Sequence, residues 1–308
     1  MSSIRGLFIR GRQWIFRIAG FLLLPSIPAL RRACGAGSRP TRFPKGIGWQ
    51  CVDADEVHCE WLAPTGAPTD AVLLYLHGGG GILGLYNSSR WMTSYISQAC
   101  NLRALLPDYR LAPEDPFPAG LNDCVAVYRW LLSNGFMPDR IIIAGDSEGG
   151  HLTLSTLLVL RDGHEPLPAA AICISPNTDP TCTGRTMRTN ALRDAILSPT
   201  FARTMMRLYA GNHDLGDPHI SPLIADLHGL PPLLIQVGAD EILLDDSRRF
   251  SERALAAGVD LTLEVWPHMW HDWHTCVPGL PEANQAIAGI AEFAERHLRM
   301  CPTTRVGV

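Results

Sequence analysis

The sequence predicts an α/β fold: a mostly parallel central sheet with helices packed on both faces. Three observations predict it. Short, wholly apolar runs such as "RIIIAGD" (140–146) have the character of strands buried on both sides. These runs alternate along the chain with segments of helical periodicity. The 308 residues, 46% of them hydrophobic, supply enough apolar surface for one large core or two ordinary ones.

The elements follow in order. "AVLLYLH" (71–77) is β-branched and apolar and runs into glycines, as a strand end does. "NLRALLP" (101–107) is a second strand, and "LNDCVAVYRWLLSNG" (121–135) has helical spacing and stops at Gly135. After the strand at 140–146, "HLTLSTLLVLRDG" (151–163) reads as a buried helix ending at Gly163. "AAAICISP" (169–176), "PLLIQVGAD" (232–240) and "DLTLEVWP" (260–267) are further strands. "DSRRFSERALAAG" (246–258) and "PEANQAIAGIAEFAERHLRM" (281–300) are helices between and after them. Residues 177–230 break the alternation and hold a helical piece, "SPTFARTMMRLYAG" (198–211). An insertion of that length is expected to be a lid or a substrate-shaping cap.

A formal charge of −4 argues against nucleic acid as a partner. Nine cysteines without a C-x-x-C pair argue against a disulfide framework or a zinc module. They read as free thiols in a reducing compartment, so a cytoplasmic location is expected. The first 52 residues contain eight Arg, one Lys and no acid. Within "LFIRGRQWIFRIAGFLLLP", Phe8, Ile15, Ile18 and Leu22 share one helical face, with Arg10, Gln13 and Arg17 roughly opposite. Three arginines interrupt the stretch, which disfavours a membrane span. It lacks a clear small-residue cleavage site, and Arg31 and Arg32 before Cys34 do not suit lipid attachment. An amphipathic helix packed on the main domain is the favoured reading; a secretory signal, a mitochondrial presequence or a membrane contact stays open.

"GDSEG" (145–149) fits G-x-S-x-G between a strand and a helix, the context in which a sharp turn exposes a nucleophilic serine. A neutral hydroxyl needs a base, and the base needs an orienting acid. Ser147 is the candidate nucleophile. Asp240 closes the strand 232–240 and His271 follows the strand 260–267, so both belong at the same sheet edge. Glu241, Asp245 and Asp246 are rivals for the acid, and His268 and His274 for the base; the first loop residue after the strand favours Asp240. The i, i+3, i+6 spacing of the three histidines suggests no metal, since no H-E-x-x-H pattern accompanies it. "LHGGGG" (76–81) offers backbone N–H groups for an oxyanion, with Gly78, Gly79 and the amide of Glu148 as the expected donors. Consecutive glycines fit a dinucleotide fingerprint poorly. Trp266, Trp270 and Trp273 flank His271, as pocket lining or as core.

At this point the chain resembles the bacterial branch of the hormone-sensitive lipase family of α/β-hydrolases. The resemblance rests on "HGGG" (77–80), "DYRLAPEDPFPAG" (108–120), "GDSEGG" (145–150), "DPHISPL" (217–223), "GADEILLDDS" (238–247) and "WPHMWHDW" (266–273). It implies an α/β-hydrolase fold with a helical cap: a cap segment at 1–50, a catalytic domain at 51–308 and a second cap segment near 178–215. It implies a serine carboxylesterase acting on short- to medium-chain acyl esters through an acyl-enzyme, with no cofactor. It supports Ser147, Asp240 and His271 as the triad. A lactone hydrolase or metabolite deacetylase would use the same residues, and a non-catalytic ligand-binding protein on this scaffold is the alternative of another class. The expected partner is a small ester. A homodimer and a weak lipid-surface contact through the N-terminal segment stay open.

The family usually carries alanine where this chain has Glu148. A carboxylate ~7 Å from the oxyanion, at an effective dielectric near 20, would oppose it by about 2.4 kcal/mol. The side chain is therefore expected to turn away and to pair with a polar group of the cap or with His151, three residues on.

Overall fold

Eight strands form one sheet in the order β1-β2-β4-β3-β5-β6-β7-β8. The computed structural model describes residues 9–11, 13–14, 17, 26–35 and 43–299. Phe8, Ile15, Ile18 and Leu22, on which the N-terminal amphipathic face rests, lie outside them, as does the last residue of the helix expected to close at 300.

The strands β3 (Val72–Leu76), β4 (Arg103–Pro107), β5 (Ile141–Asp146), β6 (Ala170–Ile174), β7 (Leu233–Gly238) and β8 (Leu261–Trp266) are parallel neighbours. All six match the apolar runs read from sequence. Every residue of β3, β5, β6 and β7 is buried, because both sheet faces are covered. Alternation divides their side chains between two cores: Val72, Leu74 and Leu76 enter one, Leu73 and Tyr75 the other. The first core is closed by α3 (Ala119–Ser133), α4 (Glu148–Asp162) and α7 (Leu244–Ala256). The second is closed by α2 (Asn87–Cys100) and α8 (Pro281–Arg299).

Two strands were not legible in the sequence. β1 (Ile47–Ala54) and β2 (Val57–Pro64) form an antiparallel hairpin, and β2 pairs antiparallel with β4. β1 is an edge strand with mixed exposure, so it lacks the continuous apolar run of a buried parallel strand. The hairpin turns at Asp55, which takes a positive φ of 54°.

The segment between β6 and β7 carries α5 (Thr186–Thr189) and α6 (Pro199–Ala210). Ser198 caps α6 by accepting from the Phe201 N–H at 3.2 Å, with Pro199 at the first helical position. Helix α1 (Ile27–Cys34) packs Leu30 into a cluster with Ile82, Met187, Met205 and Met206. Helix α1 and the inserted segment thus share one small core beside the glycine loop that follows β3. Trp270 and Trp273 are buried in the second large core. Among the described residues no helix is long and apolar enough to cross a membrane.

Candidate active site

Ser147 sits between β5 and α4 with φ 52° and ψ −114°, a conformation a non-glycine residue seldom adopts. The two flanking glycines allow it. A Cβ on Gly145 would lie 2.2 Å from the Gly149 carbonyl oxygen, and one on Gly149 would lie 1.9 Å from the Leu76 oxygen. No side chain fits at either place, so strand and helix approach closely and the serine is pushed out at the carboxyl end of β5.

His271 follows β8. Its Nε2 stands 2.9 Å from Ser147 Oγ, so these two predicted residues come together. Asp240 does not join them. Its carboxylate lies 2.8 Å from Arg10 Nη1 and 2.8 Å from Arg193 Nη2. The acid at the ring is Glu241, whose Oε2 is 3.1 Å from His271 Nδ1. The reason is the turn after β7. The Glu241 Oε1 accepts from the Gly238 N–H at 2.6 Å and from the Ser175 hydroxyl at 2.7 Å, and these two donors hold the side chain inward. Burial pushes the Glu241 carboxyl above its ordinary value, and its bonds to His271 and the Gly238 N–H work against that shift.

The remaining rivals are placed elsewhere. Asp246 accepts from the backbone of Thr178 and Asp179, and Asp245 from that of Thr186, tying α7 to the inserted segment. His268 is exposed on the turn. His274 donates toward Gln236 Oε1 at 2.8 Å, and burial holds it neutral, with its pKa down at about 3.

Asp272 is a residue that sequence reasoning passed over. It is in the left-handed region at φ 52°, and its Oδ2 lies 3.2 Å from His271 Nε2, the nitrogen that faces Ser147. Burial disfavours charge on the His271 ring. The carboxylates of Asp272, Glu241 and Asp194 outweigh it and hold the ring above its ordinary value. Burial pushes the Asp272 carboxyl up in turn.

Of the expected oxyanion donors, Gly78 is already engaged and Gly79 and Glu148 are not. The Gly78 N–H is spent on Asp146 Oδ1 at 3.0 Å, which the Tyr75 hydroxyl also reaches at 2.8 Å. A Cβ on Gly78 would lie 2.3 Å from Asp146 Oδ2, so the first glycine serves close packing. Gly79 (φ 112°) and Gly80 (φ 64°) continue the loop, and their N–H groups have no protein acceptor among the described residues. Nor has the N–H of Glu148, the first residue of α4. The loop is braced by His77, stacked on Tyr109 at 4.2 Å, with the Tyr109 hydroxyl donating to the His77 carbonyl at 2.6 Å. Four like glycines do not by themselves tell a reader of sequence which N–H is already bonded. The aspartate of "GDSEGG" was the available signal, as an acceptor waiting for the first of them.

The Glu148 carboxylate pairs within its own helix. Its Oε1 is 2.8 Å from His151 Nδ1, as expected, and both side chains are buried.

The chain matches the family described as alpha/beta hydrolase fold over residues 73–275. It is 45% identical over 238 residues to an acetyl-hydrolase of Streptomyces hygroscopicus, covering 77% of this chain and 79% of that one. It is 39% identical to an esterase of Acinetobacter venetianus, covering 74% of this chain and 76% of that one. Among solved structures, the esterase EstE5 soaked with p-nitrophenyl butyrate superposes with a TM-score of 0.90 at 39% identity, covering 97% of this chain and 100% of that one. An esterase from the bacterial hormone-sensitive lipase family superposes with a TM-score of 0.82 at 43% identity, covering 89% and 98%. The fold, the serine turn and these likenesses agree: the chain belongs to the α/β-hydrolase family, in the bacterial hormone-sensitive lipase branch.

Proposed function

We propose that the protein is a serine carboxylesterase that hydrolyses short- to medium-chain acyl esters through an acyl-enzyme. The observation that carries this reading is the continuous chain from Ser147 Oγ to His271 Nε2 at 2.9 Å and from His271 Nδ1 to Glu241 Oε2 at 3.1 Å. His271 takes the serine proton as Oγ attacks the ester carbonyl. Glu241 fixes the tautomer with hydrogen on Nδ1 and stabilises the imidazolium that forms. The N–H groups of Gly79, Gly80 and Glu148 receive the oxyanion. His271 then protonates the leaving alcohol, and a water molecule repeats the cycle to release the acid.

The N-terminal segment reads as part of a cap. Arg31 donates to the carbonyls of Ile82 (2.7 Å) and Ala112 (2.9 Å) and pairs with Glu114. Arg17 donates to the carbonyls of Ala191 and Asp194, and Arg10 reaches Asp240. These three arginines tie the described parts of the N-terminal segment to the loops around the site. Leu30 and the cluster of α6 methionines support a cap made jointly with the inserted segment. The acetyl-hydrolase relative favours the short end of the acyl range.

A panel of p-nitrophenyl esters from acetate to palmitate, with a lactone and an amide, tests the proposal. The expected result is turnover that is highest at short to medium acyl length. Turnover confined to the lactone or the amide would move the assignment to those chemistries.

A further inference from the structure

Glu148 and His151 lie one turn apart at the start of α4, and their side chains are 0% and 1% exposed. On one side of the ring, Nδ1 is 2.8 Å from Glu148 Oε1. On the other, Nε2 is 3.0 Å from the His219 carbonyl oxygen and 3.2 Å from Ser155 Oγ. The Ser155 hydroxyl donates to that same carbonyl at 2.8 Å. A carbonyl only accepts; with the Ser155 hydroxyl donating to it, the tautomer that gives every contact a donor has a hydrogen on Nε2. A second proton must then lie between Nδ1 and Oε1, since two lone pairs would otherwise face each other. Wherever it sits on that line, ring and carboxylate together carry no net charge. Asn177 Nδ2, 3.5 Å from the other carboxylate oxygen, and the edge-on Tyr209 ring, 5.3 Å away, bring no formal charge.

We propose that His151 is a positioning residue that cancels the charge of Glu148, so that the residue whose N–H receives the oxyanion does not oppose it with its own carboxylate. This inference rests on the serine esterase reading above. It explains how the chain carries a glutamate at a place where a bare carboxylate would repel the transition state. An uncompensated charge ~7 Å from the oxyanion, at an effective dielectric near 20, would slow the acylation step about fiftyfold. His151 touches neither substrate nor reacting atoms; it acts through Glu148.

The test measures kcat and KM on p-nitrophenyl butyrate for His151→Phe and for the double variant with Glu148→Gln. In His151→Phe, kcat is expected to fall about fiftyfold while KM stays within about threefold, because the lost interaction belongs to the transition state. In the double variant, kcat is expected to recover at least about tenfold from that level, because the offending charge is gone. Lost packing alone would give no such recovery. The proposal is overturned if His151→Phe keeps kcat within about threefold of the unmodified enzyme, or if the double variant stays as slow as the single one. Should His151→Phe not fold, His151→Gln, which offers an amide but no proton to share, carries the same two expectations. Failure of the esterase reading itself shows differently, as no ester turnover by the unmodified protein.

Discussion

Replacing Glu241 by Gln alters one atom in a buried side chain and should nearly abolish turnover. Glu241 Oε1 is gripped by two donors, the Gly238 N–H at 2.6 Å and the Ser175 hydroxyl at 2.7 Å. The amide oxygen of a glutamine would take that place, and its NH2 would turn to His271 Nδ1. Nδ1 would then have to accept, which puts the ring hydrogen on Nε2, facing Ser147, where no base remains. The electrostatic loss has the same sign. An imidazolium 3.1 Å from a carboxylate gains about 5 kcal/mol at an effective dielectric near 20. That corresponds to roughly ten-thousandfold in kcat. The assay is kcat/KM on p-nitrophenyl butyrate, with Asp240→Asn alongside. The Asp240 carboxylate faces Arg10 and Arg193, so its loss should cost less than about tenfold, the usual scale for a part-exposed ion pair. A thousandfold loss in Asp240→Asn with Glu241→Gln still active would refute this reasoning.

Two more outcomes follow from the same geometry. Asp272 Oδ2 lies 3.2 Å from His271 Nε2 and, with Glu241 and Asp194, holds the ring above its ordinary value against burial. Activity needs the neutral ring, so Asp272→Asn should move the acid limb of the kcat/KM–pH profile to lower pH, by about one unit; an unmoved or raised limb would count against it. Arg90 forms two bonds of 2.7 Å to Glu60, with both side chains almost fully buried. Arg90→Met leaves that carboxylate unpaired and should cost about 3–5 kcal/mol in urea unfolding.

Much of this fold was legible because burial on both faces writes itself into sequence. β5, "IIIAGD", has no exposed residue and so no polar interruption. The β1–β2 hairpin was not legible, since an edge strand such as "IGWQCVDA" mixes buried and exposed positions. Helix α2, "NSSRWMTSYISQAC", hid for the opposite reason: it buries Ser89, Thr93, Ser94 and Ser97. Its inward face therefore does not look apolar. At the site, the approach of His271 to Ser147 could be read, because strand–turn–helix context and chain order constrain both. The choice between Asp240 and Glu241 could not. β7 ends at Gly238, and the tight turn there captures the second acid rather than the first. The glycine loop was as hard to read, because which of its four N–H groups is already bonded depends on Asp146 at the end of the neighbouring strand. In both cases the local backbone, not the residue type, decides which neighbour is engaged.

The nucleophile is the centre of the account, and labelling with a fluorophosphonate tests it most directly. Intact mass followed by peptide mapping should show one adduct, on the peptide containing Ser147, together with loss of ester hydrolysis. Ser147→Ala should take no label and show no turnover. Undiminished hydrolysis by Ser147→Ala, or an adduct on another residue that tracks the loss of activity, would contradict the account.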